Sequence, residues 1–373
     1  MKSTPFFRRS LLAVVLLGLF VVTLPATIAF AKIDLGGAVI GNVGNLNPPV
    51  FLDVPKPMLV GTVFTVNKTA DTGDGVCNAA DCSLREAIVA ANANVGQDTI
   101  VFNIGTGLKT IQPTSMLPSI TDPVILDATT QPGFSGTPLI EIDGTNAGEV
   151  TGLTVNGGNS TIKGLIINGF RQTGLQIFTK GNNLVVGNYI GTNPAGTGAK
   201  SNTQNNGVGI LINNSPNNVI GGTTAATRNV IAGNKNANGS SGLWIQNATS
   251  TGNKVIGNYI GTDVTGTNLI FHTNNAVLLF AGASGNIIGG PNLERNVIAG
   301  SPGCTGISLD NVSNNKVMNN LIGLGVQGNS LGIGNAVHIQ GNSDNNVIGG
   351  TGAGEGNVIA SGEKGILNSI IPI

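Results

Sequence analysis

The chain has 373 residues, with 18 basic and 18 acidic side chains, 57 glycines, 10% charged residues and only 4% aromatic residues. So few charges and so little basic excess exclude the electrostatic footprint of a nucleic-acid or anionic-membrane binder. So many glycines and so few large rings exclude an ordinary helical core, and leave short strands of Val and Ile joined by tight turns.

Residues 1–31 are predicted to be an export signal. Lys2, Arg8 and Arg9 form its positive end, residues 11–24 its apolar stretch, and Ala29-Phe30-Ala31 a small-x-small cleavage pattern. An uncleaved anchor competes with this reading, because apolar character runs almost to Ala31. No Cys follows the apolar stretch, which argues against a lipoprotein. Cleavage would leave 15 basic against 18 acidic residues, a net charge of −3. The acidity is uneven: residues 32–150 carry a net −7 and residues 151–373 a net +4.

Residues 32–60 contain Gly36-Gly37, Pro48-Pro49, Pro55 and Pro57 without a sustained period, and read as a linker. A cap region follows over 61–97. It opens with a strand at Phe64-Thr65-Val66, continues through a polar loop over 71–81, and then holds the one convincing helix of the mature chain, over 83–94. Ser83 as N-cap and Glu86 three residues later form a capping box. Leu84, Ala87, Ile88 and Ala91 make one apolar stripe. Cys77 and Cys82 lie five apart in an exported chain and are expected to pair, leaving Cys304 as a small half-buried thiol.

From Thr99 onward the segments are short and strand-like, and from Asn217 to the end the chain keeps repeating itself. Asn217-Asn218-Val219-Ile220-Gly221-Gly222 returns as Gly285-Asn286-Ile287-Ile288-Gly289-Gly290 and as Asn345-Asn346-Val347-Ile348-Gly349-Gly350. Asn229-Val230-Ile231-Ala232-Gly233 and Gly187-Asn188-Tyr189-Ile190-Gly191-Thr192 recur as well. Such repetition is the mark of a solenoid, whose units each bury one face against the next. From residue 152 the coils align on a five-residue phrase, as in Gly174-Leu175-Gln176-Ile177-Phe178 and Gly242-Leu243-Trp244-Ile245-Gln246. Period-two alternation turns Leu153/Val155, Leu175/Ile177, Ile210/Ile212, Leu243/Ile245, Val277/Leu279, Ile307/Leu309 and Val337/Ile339 inward. Asn at the strand edges tolerates left-handed backbone and is placed to ladder with the Asn of the next coil. The predicted fold is all-β: a right-handed parallel β-helix over 98–373, regular from 152, with the 83–94 helix closing its first coil. Residues 365–373 begin another coil, and their apolar edge should pair with another molecule or with further sequence.

Cys82-Ser83-Leu84-Arg85-Glu86-Ala87 resembles the signature of CSLREA-domain proteins, flanked fittingly by Thr65-Val66-Asn67-Lys68-Thr69-Ala70-Asp71 and Ala90-Ala91-Asn92. The later repeats look like the right-handed β-helix coils that often follow that domain. This resemblance implies an exported bacterial surface or secreted protein in the pectate-lyase-like fold group. It brings no catalytic residues with it.

Any chemistry of such a solenoid lies on its outward faces. Glycoside hydrolysis needs two carboxyls about 5–10 Å apart, and uronide elimination needs a base beside a cation. Past residue 150 the carboxylates Asp263, Glu294, Asp310, Asp344, Glu355 and Glu363 are dispersed over different coils. Ser308, Asp310 and His338 share one face and are the catalytic candidates, although three polar side chains on a wet sheet are the simpler reading. Phe178, Leu211, Trp244, Gln246, Leu278 and Phe280 also point outward, and exposed apolar rings beside amides suit a sugar ring or a partner protein. Asp71, Asp74 and Asp81 are candidate Ca²⁺ ligands; their spacing departs from the EF-hand, a solvated acidic loop is the simpler reading, and no other cofactor is expected. The favoured function is a non-catalytic surface or adhesive module binding polysaccharide or a surface protein, free of nucleic acid and of the membrane once the signal is removed. A polysaccharide lyase or glycoside hydrolase is the alternative.

Overall fold

The computed structural model describes residues 61–200, 207–235, 240–360 and 362–369. The predicted signal over 1–31 and linker over 32–60 lie outside the described residues.

Short strands of β-branched and aliphatic residues, each ended by a turn, stack into three parallel sheets of ten, nine and eight strands. Successive coils add one strand to each sheet. Thus Val208–Asn213 belongs to the third sheet, Val219–Gly221 to the first and Val230–Ile231 to the second. The chain is a parallel β-helix, wound in the right-handed sense that parallel crossovers adopt. Two sheets start before the regular phrases do, with Val63–Val66 and Lys109–Ile111, whereas the third starts at Leu153–Val155. Among the described residues no helix is long and apolar enough to cross a membrane.

The lumen is lined as the alternation predicts. In the third sheet Leu153, Leu175, Ile210, Leu243, Val277, Ile307 and Val337 follow one another in register, all fully buried. Each such side chain contributes about 1.5–3 kcal/mol by leaving water. The second column is buried through Leu309, but Ile339 is only half-buried; the first column ends at Ile366 in the last described strand, 54% exposed. That strand, Lys364–Ser369, pairs with Asn335–Gln340.

Two ladders of asparagines, buried except for their half-buried last members, run along the turns that flank the first sheet. In one, Asn183, Asn218, Asn253, Asn286, Asn315 and Asn346 are joined by side-chain hydrogen bonds of 2.8–3.1 Å from each coil to the next. In the other, Asn188, Asn229, Asn258, Asn296, Asn320 and Asn357 are joined at 2.9–3.2 Å. These ladders explain the repeated phrases, since each begins a strand with its own Asn. The residue before every Asn of the first ladder has positive φ, and it is always Asn or Gly: Asn182, Asn217, Gly252, Gly285, Asn314 and Asn345. Only residues that accept left-handed backbone fit there.

The helix Leu84–Ala93 closes the first coil. Ser83 Oγ accepts from the Glu86 N–H at 3.2 Å, and the Glu86 carboxylate accepts from the Ser83 N–H at 2.7 Å, completing the predicted box. Leu84, Ala87, Ile88 and Ala91 are buried in one cluster with Val66, Ile100 and Phe102 of the first coil. The cap is joined to the solenoid by backbone as well: Val63–Val66 is the first strand of the first sheet, parallel to Asp98–Phe102. Cys77 and Cys82 form the expected disulfide, and Cys304 is free and buried. Glu86 would be raised by burial, but donors from Ser83, Asp74 and Thr72 outweigh this and hold it down to about 2.

The outer face of the second sheet is not wet. Tyr189, Val230, Tyr259 and Val297 point away from the lumen, yet all are buried. Residues 191–200, 261–270 and 323–331 form similar loops that stack over them, with Val264 N–H donating to Gly196 O and Val326 N–H to Gly266 O. A Cβ added at Gly266 would sit 2.7 Å from the Tyr259 ring, so that loop requires glycine for close approach.

Candidate functional site

Among the described residues no comparable stack of loops buries the third sheet's outer face. There Leu211, Trp244, Leu278, Ser308 and His338 succeed one another in register, and beside them run Asn213, Gln246, Phe280, Asp310 and Gln340. Leu211, Trp244 and Leu278 are half-buried by their neighbours, and Phe280 is 39% exposed. With rungs about 4.8 Å apart, this builds a continuous apolar stripe across several coils.

The stripe leads into a concavity of about 380 Å³. Trp244, Leu278 and Phe280 form its apolar wall, and Ser308, Asp310 and Gln340 its polar one. Asn274, Asn275, Thr305 and His338 complete the rim. That volume falls within the range of about 300–1,000 Å³ usual for small-ligand sites. Trp244 Nε1 is buried and has no hydrogen-bond partner among the described residues. A buried donor without a partner is costly.

Of the residues expected to bind, Trp244, Leu278 and Phe280 converge on this concavity. Phe178 and Leu211 lie on the same face but on earlier rungs, and Gln246 stands on the rung of Trp244, all three outside the lining. Asn274, Asn275 and Thr305 were not anticipated. They stand where strands begin, a place that alternation within the strands does not reach.

The three catalytic candidates share the concavity but are not joined as a relay. The His338 Nε2 lies 3.2 Å from Ser369 Oγ. Asp310 accepts from Gln340 Nε2 at 2.9 Å and from Asn311 Nδ2 at 2.6 Å. Ser308 is 3% exposed, and no hydrogen bond links it to His338, or His338 to Asp310, among the described residues. A triad needs both links.

The acidic loop of the cap does not converge either. Asp71 takes Arg85 in a two-pronged pair at 2.9 Å and the Thr114 N–H; Asp74 accepts from the Val76 N–H; Asp81 pairs with Lys68. These partners hold the loop to the helix and to the segment near Ser115. Among the described residues no group of three or more His, Cys, Asp or Glu side chains is arranged to hold a metal ion.

Sequence reasoning passed over one carboxylate pair by looking only beyond residue 150. Glu141 and Asp143, outward on the strand Ile140–Asp143, share Lys200 at 3.2 and 2.9 Å. Thr110 and Asn168 complete the shell of Glu141, and Gln112 that of Asp143. Burial pushes the Asp143 carboxyl up, but Lys200, Thr145 and Gln112 pull it below the usual carboxylate range. Both carboxylates are nearly fully buried, so the cluster fixes the 191–200 loop on the second sheet.

The sequence matches no protein-family model and no curated protein. Solved structures similar to it include the A-module of the Azotobacter vinelandii mannuronan C-5 epimerase AlgE4, at 15% identity and a TM-score of 0.35, over 78% of this chain and 93% of that one. The periplasmic alginate epimerase AlgG is similar at 14% identity and a TM-score of 0.32, over 74% of this chain and 62% of that one. The Dettilon tailspike protein is similar at 15% identity and a TM-score of 0.32, over 80% of this chain and 60% of that one. The chain thus matches somewhat less than two thirds of the length of the last two.

Proposed function

We propose that the protein is an exported β-helix that holds polysaccharide against its third sheet, as a non-catalytic surface or adhesive module. The observation that supports this most is the contrast between two outward faces. Tyr189 and Tyr259 are buried under stacked loops, whereas Trp244, Leu278 and Phe280 border an accessible concavity with amides on its other side. An aromatic ring beside amide donors and acceptors is the chemistry that grips a sugar, with its C–H face on the ring and its hydroxyls on the polar wall. Export is supported by the signal-like first 31 residues and by the Cys77–Cys82 disulfide, a bond that persists in oxidising compartments. The 82–87 signature supports kinship with CSLREA-domain proteins of bacterial surfaces.

A glycoside hydrolase is the weaker reading, because Asp310 is the one carboxylate lining the concavity and that chemistry needs two. The test is retention of the protein on immobilised polysaccharides. Trp244→Ala should weaken binding to a retaining glycan about tenfold, equivalent to about 1.4 kcal/mol. Undiminished retention rejects the proposal.

A further inference from the structure

We infer that the concavity takes an uncharged polysaccharide and turns polyuronates away; this deepens, and rests on, the reading of the Trp244 face. The support is the charge of the surface. In the two outward columns that run from Thr154 and Phe178 to Leu367 and Ser369, there is no Lys or Arg. Lys235, on the approach to the strand Ser241–Gln246, is held over the Phe271 ring at 3.7 Å. Lys364 lies two rungs beyond Thr305, roughly 10 Å along the axis.

The concavity itself holds one carboxylate, and that carboxylate is not neutralised. Asp310 is held by the amides of Gln340 and Asn311, and no cation pairs with it among the described residues. A polyuronate would bring one carboxylate per sugar onto this surface. Recognition of carboxylates calls for Arg or Lys, and here the incoming charge would meet Asp310 instead. Neutral hydroxyls face the opposite situation. Asp310 has lone pairs beyond the two already used, so it accepts sugar O–H donors in charge-assisted bonds. Asn274 and Asn275 offer amides at the rim.

The experiment is affinity retention at low ionic strength on two sets of immobilised polymers. One set is neutral (a β-glucan, a xylan, a galactomannan) and the other is alginate and polygalacturonate. Wild type, Trp244→Ala and the isosteric Asp310→Asn are compared, each verified as folded by its circular dichroism and thermal midpoint. Wild type should be retained on at least one neutral polymer and at least tenfold more weakly on both polyuronates. Asp310→Asn should lose several-fold on the neutral polymer and narrow the gap between the two sets. Retention on a polyuronate equal to or above that on every neutral polymer overturns the inference while leaving the Trp244 face intact as a binding site. So does an Asp310→Asn protein that keeps the wild-type ratio. Absence of retention on both sets, or a Trp244→Ala protein retained like wild type, overturns the underlying reading instead.

Discussion

Asn218 Nδ2 donates to Asn253 Oδ1 at 2.8 Å across 35 residues of sequence, and both side chains are wholly buried. The same oxygen also accepts from the Asn218 backbone N–H at 2.8 Å. One side-chain atom therefore satisfies two buried donors of the preceding coil.

Asn253→Ala should accordingly orphan the Asn218 N–H and remove one bond of its Nδ2, which keeps those to Ser215. The expected loss is about 1–3 kcal/mol, the cost of one buried orphan. Urea unfolding followed by circular dichroism measures it, and a loss below about 1 kcal/mol would show that water replaces the ladder.

Leu243→Ala opens a hole in the middle of the aliphatic column, between Ile210 and Val277. A fully buried leucine gives about 2–5 kcal/mol of destabilisation on truncation. Trp244→Ala, one residue along but facing outward, should cost markedly less. Equal losses at the two positions would contradict the inside–outside assignment.

His272 is buried against the Ile231 carbonyl, 3.2 Å from its Nε2, and burial drives its pKa down to about 4 despite the bonds to Ile231 and Asn234 that favour the charged form. The unfolded chain binds this proton more readily, at an ordinary value near 6.5. Its contribution is therefore complete above about pH 6.5 and lost as pH falls towards 4, by at most about 3 kcal/mol. Wild type should lose stability across that window, and His272→Leu should change much less. Parallel pH profiles for the two proteins would rule this out.

Ser83→Ala removes the side-chain acceptor of the capping box and should cost about 0.5–2 kcal/mol. Because the helix shares its cluster with Val66, Ile100 and Phe102, the loss should also loosen the first coil. Amide exchange of Ile100 and Val101 should quicken relative to Ile245. Unchanged exchange at the first coil would mean the helix closes it without stabilising it.

The fold was legible because its strongest signals are local. Alternation around Leu243 and Ile245, the Ser83–Glu86 box and the Asn-rich phrases each declare themselves within a few residues. What stayed hidden depends on register between coils of unequal length. Lys200 reaches Glu141 across 59 residues, and the 261–270 loop that covers Tyr259 is bonded to the loops before and after it. The Trp244 stripe was legible from alternation alone. Its meeting with Asn274 and Thr305 was not, since those residues stand where alternation gives way to turns.

The asparagine ladders have a sense as well as a length. In every link the Nδ2 of the earlier coil addresses the Oδ1 of the later one, so the amide dipoles of each file all point along the screw axis the same way. Turning one amide over would oppose nitrogen to nitrogen on one side and oxygen to oxygen on the other. Each file therefore keeps its orientation collectively, and a coil inserted or deleted by recombination is accepted only if its own asparagine joins the queue facing forward.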